Sequence, residues 1–382
     1  MTVLTTVSEQ AILPPKAFPH VKRPFISSHR GSRFIAPENT LQGFKAMLAL
    51  GTGVIEFDVR LTKDHQLVVY HDEVVNRTTD HKGPVSSFTV SELKSMKAAY
   101  NIKDKKGSFA FRNNEEIKIS TLKEVFEEFW GKYPKILTSS DVNMNIEIKD
   151  NDMLASELLI DLLSKYEKSN EHVLIVSNYC PPLENIQNKL PLVPTGTCEK
   201  EAMSFVIYHI LNDLFYPFVE IGKLFMKDRL ENQYSAFQLP TSHMGINFST
   251  PYFVQDAHAL NSKEIHYWVV NTKQSMKQLL LLGAECLITD RTDLALEVWE
   301  EMKLPLTNNW MEKYQDYLPY VIKPSEDFEE VHTCVAFICQ VIGSIKPILI
   351  VVLVLGLFVC LRLMSYIFGM MCQGKNSKLK VD

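Results

Sequence analysis

Residues 54–60 read VIEFDVR, a run in which acidic and apolar side chains alternate. A β-strand sends successive side chains to opposite faces, so Glu56 and Asp58 leave together while Ile55 and Phe57 leave on the other side. Two carboxylates on an apolar strand read as inward charge. Residues 144–149, MNIEIK, repeat the arrangement with Glu147 and Lys149. If such strands lie parallel and close on themselves, their C-terminal ends meet at one mouth, and these groups share it.

The remaining chain fits that closure. Short β-branched runs recur as FISSHR, LVVYHD, HVLIVS, LVPTGT, SAFQLP, IHYWVV and ECLITD. Helical patterns lie between many of them, among them TLQGFKAMLAL and STLKEVFEEFW. The second helix opens with Thr121 three residues before Glu124, a capping-box signature. Strand–helix alternation implies a parallel sheet. A domain over 25–304 has the length of a (β/α)8 TIM barrel, typically about 250 residues. Nine candidate runs compete for the barrel's eight places, so one belongs to a hairpin or loop. A polar Lys/Gly/Asn-rich stretch over 82–118 reads as a small insertion after the third strand. The aromatic run over 205–225 is interrupted by Asn212, Asp213, Pro217 and Glu220, which makes it a poor membrane span; it reads as a barrel helix with a loop, or a lid lying on a membrane.

Bulk composition narrows the classes. A hydrophobic content of 46% supplies a sizeable core, and a net charge of -5 argues against nucleic acid as a partner. The seven cysteines are odd in number and show no CxxC spacing. They imply neither a disulfide framework nor a zinc site, and favour a reducing compartment. The leader, 1–24, lacks the basic and apolar regions of a signal peptide. At the other end, Arg362 is the only charged residue between Pro347 and Met371. About 20 apolar residues span a bilayer, so the sequence predicts a C-terminal transmembrane helix over about 347–368. It sits within an anchor region over 333–372, after a polar linker over 305–332 and before a basic tail over 373–382. The expected location is a membrane, with the catalytic domain cytosolic. The lysines of the tail point to the same side, which a single pass cannot satisfy.

Two more strand ends carry chemistry: His29-Arg30 and His71-Asp72. Three carboxylates without clustered His or Cys suit a hard cation, Mg²⁺ or Ca²⁺, which polarises phosphate as a Lewis acid. Two histidines at one mouth can serve as general base and general acid. Arg30 and Lys149 supply positive charge for a developing phosphorane. The combination points to metal-assisted phosphodiester cleavage. Each short motif alone has a bland reading as an exposed face or a turn; together, in order and on strand ends, they do not.

The chain resembles the glycerophosphodiester phosphodiesterase family. The resemblance rests on HRGSRFIAPENTLQGF, IEFDVRLTKDHQLVVYHDEVVNRTT, ISTLKEVFEEF, NIEIK, YWVVNT and GAECLITD, in that order. It implies a TIM barrel with one bound divalent cation, Mg²⁺ or Ca²⁺. It implies His29 and His71 as the acid–base pair, Glu56, Asp58 and Glu147 as metal ligands, and Arg30, Lys149 and Trp268 as phosphate or substrate contacts. Within the family the chain looks most like the animal membrane-associated members with lysophospholipase D activity. The implied partners are a small-molecule or lysolipid substrate and membrane lipids; protein partners are not indicated. Val269 and Thr292 depart from the family pattern in supporting segments, where Thr and Pro are usual. The expected reaction releases the alcohol headgroup and leaves glycerol 3-phosphate or lysophosphatidic acid. Two alternatives stand beside it. One is a cyclising phospholipase D-like lyase, whose venom representatives usually carry a disulfide near the site, which the sequence does not suggest here. The other is a non-catalytic lipid-binding scaffold.

Overall fold

The alternation along VIEFDVR sorts residues between two environments. In the computed structural model, Ile55, Phe57 and Val59 are buried in the layer between sheet and helices, beside Phe44, Phe126 and Trp130. Val54 belongs instead to the barrel interior, with Phe25, Leu174, Ala236, Cys286 and Ile288. Glu56 and Asp58 share Val54's face. The structure describes residues 15–104, 106–132, 135–214, 234–243, 246–260, 263–306 and 310–323.

The strands are β1 (Phe25–Ser28), β2 (Val54–Leu61), β3 (Leu67–Val69), β4 (Asn143–Ile148), β5 (Val173–Val176), β6 (Ala236–Leu239), the short pair β7 (Ser242–His243) and β8 (Ile246–Asn247), β9 (Glu264–Tyr267) and β10 (Cys286–Thr289). The main sheet runs β5-β4-β2-β1-β10-β9-β6, with every neighbouring pair on that path parallel. It is bridged between its ends. Thr195 pairs in parallel with Ile175 of β5, and Gly196 with Ala236 of β6. LVPTGT is thus the remaining barrel strand, reduced to two bridges. A side chain at Gly196 would meet Val176 Cγ1 at 2.7 Å, which explains the glycine there. The ninth run is LVV: β3 pairs antiparallel with β2 and lies off the barrel path.

Helices cover the outside. They are α1 (Leu41–Leu50), α2 (Val90–Ser95), α3 (Leu122–Trp130), α4 (Met153–Leu163), α5 (Cys180–Lys189), α6 (Glu199–Leu214), α7 (Pro251–Ala259), α8 (Lys273–Leu281), α9 (Thr292–Glu301) and the short α10 (Met311–Tyr314). Thr121 and Glu124 form the expected capping box at α3, which satisfies two of the amide groups a helix start leaves unpaired. The insertion after β3 has its own small core of Val75, Val85, Leu93, Met96, Phe111 and Ile117. The described end of the leader, from residue 15 on, closes the bottom of the barrel: Phe18 and Val21 are buried against Phe25 and Val54, and Arg23 pairs with Glu264.

Three expectations change. The segment taken as a linker docks over 310–323: Trp310 and Tyr314 are buried, and Lys45 Nζ donates to Tyr317 Oη at 3.0 Å. The expectation that no disulfide forms is overturned, because Cys180 and Cys198 are bonded, and the argument for a reducing compartment falls with it. Their spacing of 18 residues carries no motif; parallel pairing of Ile175 with Thr195 brings the following loops together. The membrane location through a C-terminal anchor is also corrected. Among the described residues no helix is long and apolar enough to cross a membrane. The anchor region over 333–372, the basic tail and residues 215–225 of the aromatic run lie outside the described residues.

Candidate active site

The register between β2 and β4 builds the acidic wall. Glu56 lies level with Asn145, and Asp58 with Glu147, so the inward carboxylates of two neighbouring strands come together. One oxygen from each of Glu56, Asp58 and Glu147 lies within 4.8 Å of the others. Lys149, one alternation further on, sets Nζ at 2.6 Å from Glu147 Oε1 and 3.1 Å from Asp58 Oδ1.

The charge balance of the wall is uneven. Burial and the charges of Asp58 and Glu147 push the Glu56 carboxyl well above its ordinary pKa. Burial also opposes ionisation of Asp58, but Lys149 and Arg30 override it and hold that carboxyl well below the usual range. A trio in which one member resists ionisation fits a site completed by a cation. The three oxygen donors suit Mg²⁺ or Ca²⁺ by their hardness.

The loop after β1 supplies the opposite wall. His29–Gly31 form one tight turn, in which Arg30, Gly31 and Ser32 take φ of 53°, 69° and 67°. A Cβ at Gly31 would stand 2.8 Å from Phe44 Cδ1, so glycine is required. The turn aims the Arg30 backbone N–H at Glu56 Oε2, 2.7 Å away. Its side chain lies between Asp58 and Glu38, at 3.4 and 3.6 Å. Helix α1 is capped by Thr40, whose hydroxyl accepts from the Gly43 N–H. The neighbouring Asn39 turns to the site, where its amide donates to Asp58 Oδ2 at 2.9 Å.

Each histidine is braced through Nδ1 by a carboxylate. His29 Nδ1 lies 2.6 Å from Asp290 Oδ1, and His71 Nδ1 lies 2.6 Å from Asp72 Oδ1. With the carboxylate as acceptor, Nδ1 carries the proton, and Nε2 is the working nitrogen. Burial lowers the His29 pKa, with Asp290 opposing. Asp290 is itself buried, yet His29 and Arg33 keep it well below the ordinary carboxylate range. Arg77 secures the second brace by holding Asp72 Oδ2 at 2.6 Å and both oxygens of Glu38 at 2.6 and 2.7 Å.

The two histidines and most of the charged wall border one cleft of about 280 Å³, whose lining includes His29, Arg30, Glu56, His71, Glu147, Lys149 and Trp268. Asp58 sits immediately behind it through Lys149. Every residue expected at the site is therefore brought together. Sequence reasoning noted Asp72 beside His71 but gave it no role, and missed Asp290, Glu38, Asn39, Arg77 and Arg33. Asp290 was readable in principle, as an acidic residue ending a barrel strand in ECLITD. The others lie within HRGSRFIAPENTLQGF and IEFDVRLTKDHQLVVYHDEVVNRTT, where nothing local says which polar residues turn to the site.

Fold and site together define a barrel hydrolase that sets a carboxylate-braced histidine pair beside an acidic trio. The chain belongs to the glycerophosphoryl diester phosphodiesterase family, whose model matches residues 29–294, and is a phosphoric diester hydrolase. Its relatives include a glycerophosphodiester phosphodiesterase of Caldanaerobacter subterraneus, 31% identical over 69% of this chain and 93% of that protein. A lysophospholipase D of Homo sapiens is 25% identical over 70% and 85%. Among solved structures, an Oleispira antarctica phosphodiesterase in complex with the product sn-glycerol-3-phosphate superposes with a TM-score of 0.52 at 19% identity, covering 77% of this chain and 97% of that one. A putative glycerophosphoryl diester phosphodiesterase of Silicibacter pomeroyi gives 0.55 at 20%, covering 76% and 97%. These likenesses support the barrel.

Proposed function

We propose that this phosphodiesterase acts on glycerophosphodiesters and lysophospholipids, releasing the alcohol headgroup and leaving glycerol 3-phosphate or lysophosphatidic acid. The observation that carries the reading is the pair of imidazoles, each fixed through Nδ1 at 2.6 Å by a carboxylate, on one cleft beside three carboxylates. A divalent cation held by Glu56, Asp58 and Glu147 would supply Lewis-acid polarisation of the phosphoryl group. His29, whose pKa burial lowers against the opposing charge of Asp290, is assigned as the general base, and His71 protonates the departing alcohol oxygen. Arg30 and Lys149 offset the charge that builds on phosphorus, and Trp268, exposed at the rim by 39%, borders the substrate.

Attack by the glycerol C2 hydroxyl is intramolecular and forms a five-membered cyclic phosphate, which favours that route strongly; water then opens the ring. The route requires a free C2 hydroxyl. Lyso and deacylated lipids have one, and diacyl phospholipids do not. The disulfide follows cleft-lining Asn178 and Thr197 closely in the chain, which removes one argument against a lyase that stops at the cyclic product. Phosphorus NMR of the products from glycerophosphocholine and lysophosphatidylcholine decides between the two. The expected result is a monoester, lost with EDTA and in His29→Ala and His71→Ala. Accumulation of cyclic phosphate, or comparable hydrolysis of a diacyl lipid, refutes the reading.

A further inference from the structure

Arg33 takes no part in the chemistry above, yet it lines the cleft between the β1 and β10 ends. Its side chain is 18% exposed, and Nε lies 3.0 Å from Asp290 Oδ1. That contact is a charge pair and not an aligned hydrogen bond, since the buried Nε is left without a hydrogen-bond partner. Its guanidinium also lies against the Phe34 ring, with Cζ 4.8 Å from the centroid, and its charge helps hold the Glu38 carboxyl below the ordinary range. A guanidinium has five N–H donors in a planar fork, and buried donors in native proteins are satisfied. Here a mostly buried arginine, held at one end by Asp290 and Phe34 and with its Nε unsatisfied, brings its guanidinium to a cleft that accepts phosphate esters. Lys149, by contrast, is engaged at 2.6 Å by Glu147.

Strand order decides what Arg33 can reach. The carboxylate trio stands on β2 and β4, on one side of β1, whereas Asp290, which follows β10, stands on the other. His29 ends β1, between the two. We propose that Arg33 is a phosphate-binding residue that grips a non-bridging phosphoryl oxygen from the side of His29 opposite the carboxylate trio. The proposal rests on the reading of the cleft as a glycerophosphodiester site. Arg33 and His29 share Asp290 Oδ1 as partner, so the group that orients the base also orients this anion clamp. A fork matches two oxygens of a phosphate, which a point charge such as lysine does not.

The test uses Arg33→Gln and Arg33→Lys in the full chain, with glycerol 3-phosphate as the calorimetric ligand in Mg²⁺ and a separate Mg²⁺ titration. The expected result is at least a tenfold weaker glycerol 3-phosphate affinity in Arg33→Gln and a smaller loss in Arg33→Lys. KM for glycerophosphocholine rises in parallel, while Mg²⁺ affinity and Tm stay at wild-type values. Glycerol 3-phosphate affinity within twofold of wild type in Arg33→Gln overturns the proposal. So does a loss matched by an equal loss of Mg²⁺ affinity or a fall in Tm, which would make Arg33 a structural brace of Asp290. A wild-type protein that neither binds glycerol 3-phosphate nor hydrolyses glycerophosphocholine overturns the parent reading and this one with it. Hydrolysis by wild type with unchanged binding in the variants overturns only this one.

Discussion

Replacing Glu56 by Gln should stabilise the metal-free protein while abolishing metal binding. Glu56 is 3% exposed, and an oxygen of it lies within 4.8 Å of oxygens of both Asp58 and Glu147. Two unit charges at that separation repel by about 3 kcal/mol at an effective dielectric of about 20. Lys149 sits on Asp58 and Glu147 and offsets part of this, leaving a net gain on neutralisation of about 1–2 kcal/mol. The glutamine oxygen can still accept the Arg30 N–H that Glu56 accepts at 2.7 Å, so no donor is orphaned. For a domain of this size the gain corresponds to a rise in Tm of roughly 2–3 °C. Its pH dependence has a definite sign. The folded-state pKa of Glu56 is raised above its unfolded value, so the stability it contributes is present below the unfolded carboxyl pKa and is lost as pH rises through the raised value. The advantage of Glu56→Gln therefore grows from acid towards neutral pH. Differential scanning calorimetry in EDTA across that range measures it, and repetition in Mg²⁺ should stabilise wild type by about 2.7 kcal/mol at a hundredfold excess over Kd and leave the variant unmoved. A variant that melts below wild type in EDTA at neutral pH, or equal Mg²⁺ stabilisation of both proteins, refutes the electrostatic account.

Asp72→Asn should lower kcat by about 10²-fold with little change in KM, because it removes the charge that orients His71; steady-state choline release checks this. Asn39→Ala should cost about 1–3 kcal/mol of stability, since Asp58 Oδ2 loses a donor at 2.9 Å inside the fold, as read by urea unfolding. Cys180→Ser, or reduction of the Cys180–Cys198 bond that spans 18 residues, should cost about 3 kcal/mol by relaxing the unfolded chain. Comparing melting with and without a phosphine reductant measures that effect.

The candidate site was legible where its chemistry follows strand periodicity. Glu56, Asp58, Glu147 and Lys149 are pairs two residues apart, and the inward face of a strand can be read from its apolar neighbours. His29 and His71 were legible as residues at strand ends. LVPTGT looked like a full strand but contributes only the bridges at Thr195 and Gly196. LVV looked like a barrel strand but pairs as a hairpin with β2. Both runs have the same local pattern as true barrel strands, and partner choice is not a local property.

By itself the sequence determined which side chains share a face, because two-residue alternation is written within each strand. Only the tertiary structure decided which faces meet. Asp290 reaches His29 across 261 positions, and Ser32 Oγ reaches Thr292 Oγ1 across 260, because β10 closes on β1 in register. Arg77 joins Glu38 to Asp72 across the first and third strand loops. The Cys180–Cys198 bond likewise awaits the pairing of Ile175 with Thr195. Barrel closure fixes these pairings, and it is a property of all the strands at once.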